Sequence, residues 1–125
     1  MTVGEPFEKD PAGPLQRGVV QNLRDLYPDG DTLREFIDLF LSDSPPRLDR
    51  LVSAMRANDF DEVWQGAHAL RGSCMLVGAH RVETMLVDVE EVVRRGELPS
   101  EADIAALEVA YQDAAAALVR ELDNA

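Results

Sequence analysis

The chain has 125 residues, a length that suits one domain built on a single hydrophobic core. Hydrophobic residues make up 46% of it and charged residues 29%, which is the composition of a globular protein. The formal net charge of -12 would repel nucleic-acid phosphates and anionic membrane surfaces, so we expect neither as a partner. One cysteine excludes an intrachain disulfide, and no apolar run approaches the roughly 20 residues that span a bilayer. We therefore expect a cytoplasmic protein.

The N-terminal residues 1–13 contain two prolines and two glycines and show no apolar periodicity. This composition predicts a flexible N-terminal arm. Apolar residues at helical spacing between Leu15 and Leu26 then predict a short helix that ends before Pro28.

The next helix is predicted to begin at Thr32, which forms a capping-box pattern with Glu35. Its apolar stripe continues to Met55, but two consecutive prolines, Pro45 and Pro46, interrupt it. Proline lacks the amide donor and clashes with the preceding turn, so the helix is predicted to break or kink there.

Three more helices are predicted from their end signals. Asn58-Asp59 caps the first of them and Gly78 ends it, Gly96 closes the second, and Ser100 opens the third. No segment alternates like a strand. The fold class is therefore all-α, with five or six helices on short loops, and we predict an antiparallel four-helix bundle with an additional short N-terminal helix.

The helix after Asp59 carries a histidine, His68, opposite its apolar stripe. At about 100° per residue, the centre of that stripe lies about 140° from His68, which predicts a histidine that faces solvent. The stripe consists of Phe60, Val63, Ala67, Leu70, Cys74 and Val77. Arg71, one turn on, can place a guanidinium beside an anion held by the ring. Gly72 costs about 1 kcal/mol relative to alanine in mid-helix, which clear space beside the imidazole would explain. We predict that His68 carries a phosphoryl group, with Arg71 and Gly72 in the same site.

Three further residues of this helix are assigned to a partner-binding surface around His68: Trp64, Gln65 and Met75. Trp64 and Met75 would be exposed apolar residues that bracket the histidine, which is typical of a docking patch. Alternatively, Trp64 lies at the boundary of the core under a neighbouring helix. The periodicity does not choose between the two positions.

The residues from His68 onward follow a recognisable spacing. The run His68 to Ser73 matches the pattern His-x-Leu-Lys-Gly-Ser, with Arg71 in place of the commoner lysine, and Gly78-Ala79 and Val89-Glu90 follow without a gap. In these features the chain resembles the histidine-containing phosphotransfer (Hpt) domain family. The resemblance implies an Hpt-like helical-bundle domain over residues 14–125.

The resemblance also implies a function. His68 would accept a phosphoryl group from the aspartate of a receiver domain and pass it to another receiver, so the partners would be response-regulator receiver domains and a hybrid histidine kinase. The protein would be a phosphocarrier and not an enzyme, because the sequence has neither a P-loop nor a Gly-x-Gly-x-x-Gly motif for ATP. No cofactor is expected on this chain, since the partner receiver domain would supply Mg²⁺. We expect a monomer.

Three alternatives remain beside this hypothesis. The chain could be a phosphotransfer module of a larger hybrid sensor kinase. It could be a binding adaptor that uses the same helix face without phosphorylation. It could be a metal-dependent helical-bundle enzyme, although neither His68 nor His80 has the glutamate three residues earlier that di-iron bundles use.

Overall fold

The structure, a computed structural model, describes residues 13–123. Over that range the chain forms five α-helices and no strand, so the all-α prediction is confirmed. The helices are α1 (Arg17–Leu26), α2 (Asp31–Arg56), α3 (Phe60–Val77), α4 (His80–Arg94) and α5 (Glu101–Asp123). The predicted flexible arm lies outside the described residues except for Gly13.

The four long helices form a closed bundle around one core. Helix α3 packs between α2 and α4, and α5 contacts both α2 and α4 on the other side. Short loops join successive helices, which makes them antiparallel neighbours as predicted. The short α1 is the predicted additional helix, and it contacts α3. Large side chains that are almost completely buried come from all four long helices, among them Leu33, Ile37, Leu51, Leu70, Leu86, Leu107 and Leu118.

Of the break or kink predicted at Pro45 and Pro46, the break is wrong, because helix α2 continues through both prolines. Both prolines are exposed on the outer face of the bundle, where water can hydrate the carbonyls that lack an N–H partner. Apolar residues on either side, such as Phe40 and Leu48, are buried in the same core. Burial of both halves therefore outweighs the two missing hydrogen bonds.

Side-chain caps begin two of the long helices, α3 and α5. At α2 the predicted capping box is wrong: the N-cap residue is Gly30, which has no side chain, and the carboxylate of Asp29 before it accepts hydrogen bonds from the amide of Thr32 at 3.1 Å and from the hydroxyl at 3.3 Å. At α3 the carboxylate of Asp59 accepts from a first-turn amide at 3.2 Å, as predicted. At α5 Ser100 and Asp103 cap each other's amides at 3.1 Å, which is the reciprocal capping box.

Gly78 ends α3, as predicted, with a left-handed φ of 75°. Its carbonyl accepts a hydrogen bond from the amide of Gln16 at 2.7 Å. A Cβ at position 78 would lie only 3.0 Å from the carbonyl oxygen of Gln16 and from the Cβ of Val19. Glycine is therefore required here both by its conformation and by the close approach of the segment that begins α1.

Candidate functional site

His68 lies in the middle of α3 with its side chain 54% exposed, as predicted from the periodicity. The opposite stripe is buried at Val63, Ala67, Leu70, Cys74 and Val77. Phe60 was predicted on the same stripe but is 37% exposed. It is the first residue of α3 and therefore lies at the end of the apolar stripe.

The indole of Trp64 lies flat against the imidazole of His68. The ring centroids are 4.9 Å apart and the planes differ by 8°. Trp64 is half-buried and packs against the core on its other side. It thus lies at the core boundary, which was one of the two predicted positions, and it also covers one face of the histidine ring.

Arg71 and Glu90 hold the Nδ1 edge of His68. The guanidinium Nη2 of Arg71 lies 3.2 Å from Nδ1. The same guanidinium donates to Glu90 from Nε, at 2.7 Å to Oε2, and from Nη2, at 3.5 Å to Oε1. Oε2 is itself 3.6 Å from Nδ1, and the Glu90 side chain is only 8% exposed. Arg71 therefore reaches the histidine, but its charge is already compensated by a buried carboxylate.

The two neighbours of Nδ1 suit different tautomers of His68. Arg71 can only donate, so its contact requires a lone pair on Nδ1 and a proton on Nε2. A proton on Nδ1 instead points toward the Glu90 carboxylate and leaves the lone pair on Nε2. Nε2 is the nitrogen turned away from both residues, and none of the described residues hydrogen-bonds to it. The arrangement can thus make Nε2 a nucleophile open to solvent.

Space around Gly72 is clear, and the two glycines in the middle of α3 differ in this respect. A Cβ built at Gly72 meets no atom within 4 Å, whereas one built at Gly66 lies 3.3 Å from Cδ1 of Leu51. Gly66 therefore serves helix packing and Gly72 does not. Gln65 is exposed and Met75 is 50% exposed, so both lie at the surface around the histidine as predicted.

Glu90 is the site residue to which sequence reasoning assigned no role. It belongs to the matched Val89-Glu90 pair, but its contact with Arg71 depends on how α4 packs against α3. A signal was present, since Glu90 follows Leu86 by four residues on the buried stripe of α4. A carboxylate at a core position calls for a partner, because charged side chains are rarely buried without one.

Cys74 lies in the core behind the site. Burial raises the pKa of its thiol to about 12, so the thiol is neutral at physiological pH and acts as a small apolar side chain. Over residues 13–123 no group of three His, Cys, Asp or Glu side chains is placed to hold a metal ion. No helix in the same range is long and apolar enough to cross a membrane.

Comparison with known proteins gives one family and one solved structure. The model of the Hpt domain family matches residues 35–125. The fold is similar to the crystal structure of histidine-containing phosphotransfer protein B (HptB) from Pseudomonas aeruginosa PAO1, with a TM-score of 0.80 and 26% sequence identity over 90% of this chain and 96% of that one. Comparison with curated proteins gives no match.

Proposed function

Because the chain belongs to the Hpt domain family, we propose that it relays a phosphoryl group on His68, taking it from the aspartate of one receiver domain and passing it to another. The observation that carries this proposal is the histidine itself: it is exposed on α3, its Nδ1 edge faces Arg71 and Glu90, and its Nε2 is turned outward. A neutral imidazole is a good nucleophile near neutral pH.

The transfer can be written through Nε2. Its lone pair attacks the phosphorus of the receiver's aspartyl phosphate, the N–P bond forms, and the P–O bond to the aspartate breaks to release a carboxylate. The ring gains positive charge as the bond forms. The Nδ1 proton then points at the buried Glu90 carboxylate, which stabilises that charge. In the second transfer the aspartate of another receiver attacks the phosphorus and Nε2 leaves.

Arg71 acts on this reaction through Glu90, because its hydrogen bonds hold the carboxylate at the Nδ1 edge of the ring. We expect Arg71→Ala to slow transfer or to shorten the lifetime of the phosphohistidine. An unchanged rate and lifetime would show that this cation is incidental.

The partner is proposed to dock over the surface that Gln65, Gly72 and Met75 leave open around His68. The receiver domain brings the Mg²⁺ that its own aspartate uses, and this chain brings the nucleophile and the docking surface. A response regulator and a hybrid histidine kinase are the partners that this scheme requires. The monomeric state and the cytoplasmic location stay predictions.

The test is transfer from a panel of phosphorylated receiver domains to the wild-type chain and to His68→Gln. We expect an acid-labile, base-stable phosphate on the wild type alone. Phosphoramidate, a small phosphodonor, provides a second route to His68 that needs no partner. If no donor labels the wild type, yet a receiver binds both proteins equally well, the chain is a phosphorylation-independent adaptor and the proposal is wrong.

A further inference from the structure

A groove of about 270 Å³ lies between α2 and α3 on the flank of His68 opposite Arg71. Its floor is the close contact of Gly66 with Leu51. Gln65 and Ala69 form its α3 side, and both are exposed. Ala69 follows His68 directly and Gln65 precedes it by three residues, which places the groove within about one helical turn of the phospho-accepting ring.

The α2 side of the groove carries two cations, Arg47 and Arg50. They are three residues apart, so they project from the same face of the helix. Both are exposed, and neither forms an ion pair or a side-chain hydrogen bond with any residue of 13–123. Glu62 also lines the groove but is paired with neither. By contrast, Arg56 at the end of the same helix binds Glu101 at 3.0 Å.

These two cations thus have no ion-pair partner among residues 13–123, although the net charge of the chain is -12. The Arg71 charge on the other flank is already balanced by Glu90. The groove is open to solvent, and its two arginines favour an occupant that carries negative charge, such as the acidic side chains of a docked protein.

We propose that Arg47 and Arg50 receive acidic side chains of the receiver domain that docks over His68, and that they select the partner. This inference rests on the proposed relay function. Without such a local contact, an acidic receiver surface would meet a chain that repels it. Charges at the rim of an interface act mainly on the association rate, its salt dependence and the choice of partner. Receivers with an acidic patch beside the phosphorylated aspartate are accepted, and those with a basic patch there are rejected.

The first test is the double charge reversal Arg47→Glu/Arg50→Glu. Its matched control is Arg94→Glu/Arg120→Glu, which makes the same change in net charge on exposed residues of α4 and α5. With a phosphorylated receiver that labels the wild type, we expect the groove variant to raise KM about tenfold at low salt, and less at high salt. We expect the control to change KM less than twofold. Labelling of His68 by phosphoramidate should be the same in all three proteins.

The outcomes separate this inference from the relay function. If both double variants behave alike in KM and salt dependence, the groove does not select the partner, although His68 remains the relay nucleophile. If the wild type is labelled neither by a receiver nor by phosphoramidate, the relay function fails and the inference fails with it.

A second test identifies the contacting group. Lys9 is the only lysine in the chain, so Lys9→Arg combined with Arg50→Lys leaves one lysine amine, in the groove. A zero-length carbodiimide joins that amine only to a carboxylate in contact with it. We expect a cross-link to an aspartate or glutamate of the receiver, and none in the control Lys9→Arg/Arg94→Lys. Failure to cross-link from position 50 to a receiver that binds normally would overturn the proposal.

Discussion

Replacing Glu90 with glutamine separates the charge of this residue from its shape. The carboxylate is 8% exposed and accepts the 2.7 Å hydrogen bond from Nε of Arg71. Glutamine keeps one oxygen for that bond, but it removes the negative charge that faces Arg71 and Nδ1 of His68. The substitution should therefore lower both the stability of the bundle and the rate of phosphoryl transfer.

The expected loss of stability follows from how far Glu90 and Arg71 are exposed. Breaking a fully buried ion pair costs about 3–5 kcal/mol. Arg71 is 26% exposed and keeps a hydrogen bond to the amide oxygen, so we expect a loss of about 1.5 kcal/mol in the free energy of unfolding. For transfer, replacing the charged acceptor near Nδ1 with a neutral one should raise the activation free energy by about 1.4 kcal/mol, which lowers the rate about tenfold.

Urea unfolding and phosphotransfer kinetics measure the two effects. With a slope of about 1.5 kcal/mol per molar, the Glu90→Gln midpoint should fall by about 1 M. Glu101→Gln is the matched control, because the side chains of its pair with Arg56 are 55% and 72% exposed, so water screens that pair and its loss should leave the midpoint nearly unchanged. Equal midpoint shifts in the two variants, or a wild-type transfer rate in Glu90→Gln, would refute this account of the buried pair.

Three other predictions concern neighbouring features. Gly72→Ala should stabilise the helix by about 0.5–1 kcal/mol without slowing transfer, because the added Cβ meets no atom within 4 Å. Gly72→Gln should stay folded but slow transfer, because the longer side chain covers the imidazole. Circular dichroism melts and transfer rates compare the two variants. Burial raises the pKa of Cys74 from 9.0 to about 12, so the thiol releases its proton on unfolding between these pH values. Over this range the free energy of unfolding of the wild type should fall more steeply with pH than that of Cys74→Ala. Parallel pH profiles of the two proteins would contradict this. Trp64 is the only tryptophan and stacks on His68, so phosphoramidate should change the fluorescence of the wild type but not of His68→Gln.

The features that follow from a few neighbouring residues were predicted from the sequence. The caps at Asp59 and Ser100, the end of α3 at Gly78 and the exposure of His68 all depend on contacts within one or two helical turns. A 3.6-residue period, a side chain that binds an amide three positions on, and a glycine in the left-handed conformation are properties of a short segment. The spacing from His68 to Glu90 likewise indicated the family without any knowledge of packing.

The features that join two helices were decided only by the tertiary structure. Glu90 contacts Arg71, 19 positions away in the sequence, because α4 lies against α3. No pattern within either helix predicts this contact. The cations of α2 flank His68 because α2 packs on the other side of α3. Helix α2 also continues through Pro45 and Pro46 because the core buries both of its halves. Local sequence thus determined the helices and the nucleophile, and packing decided which charges surround it.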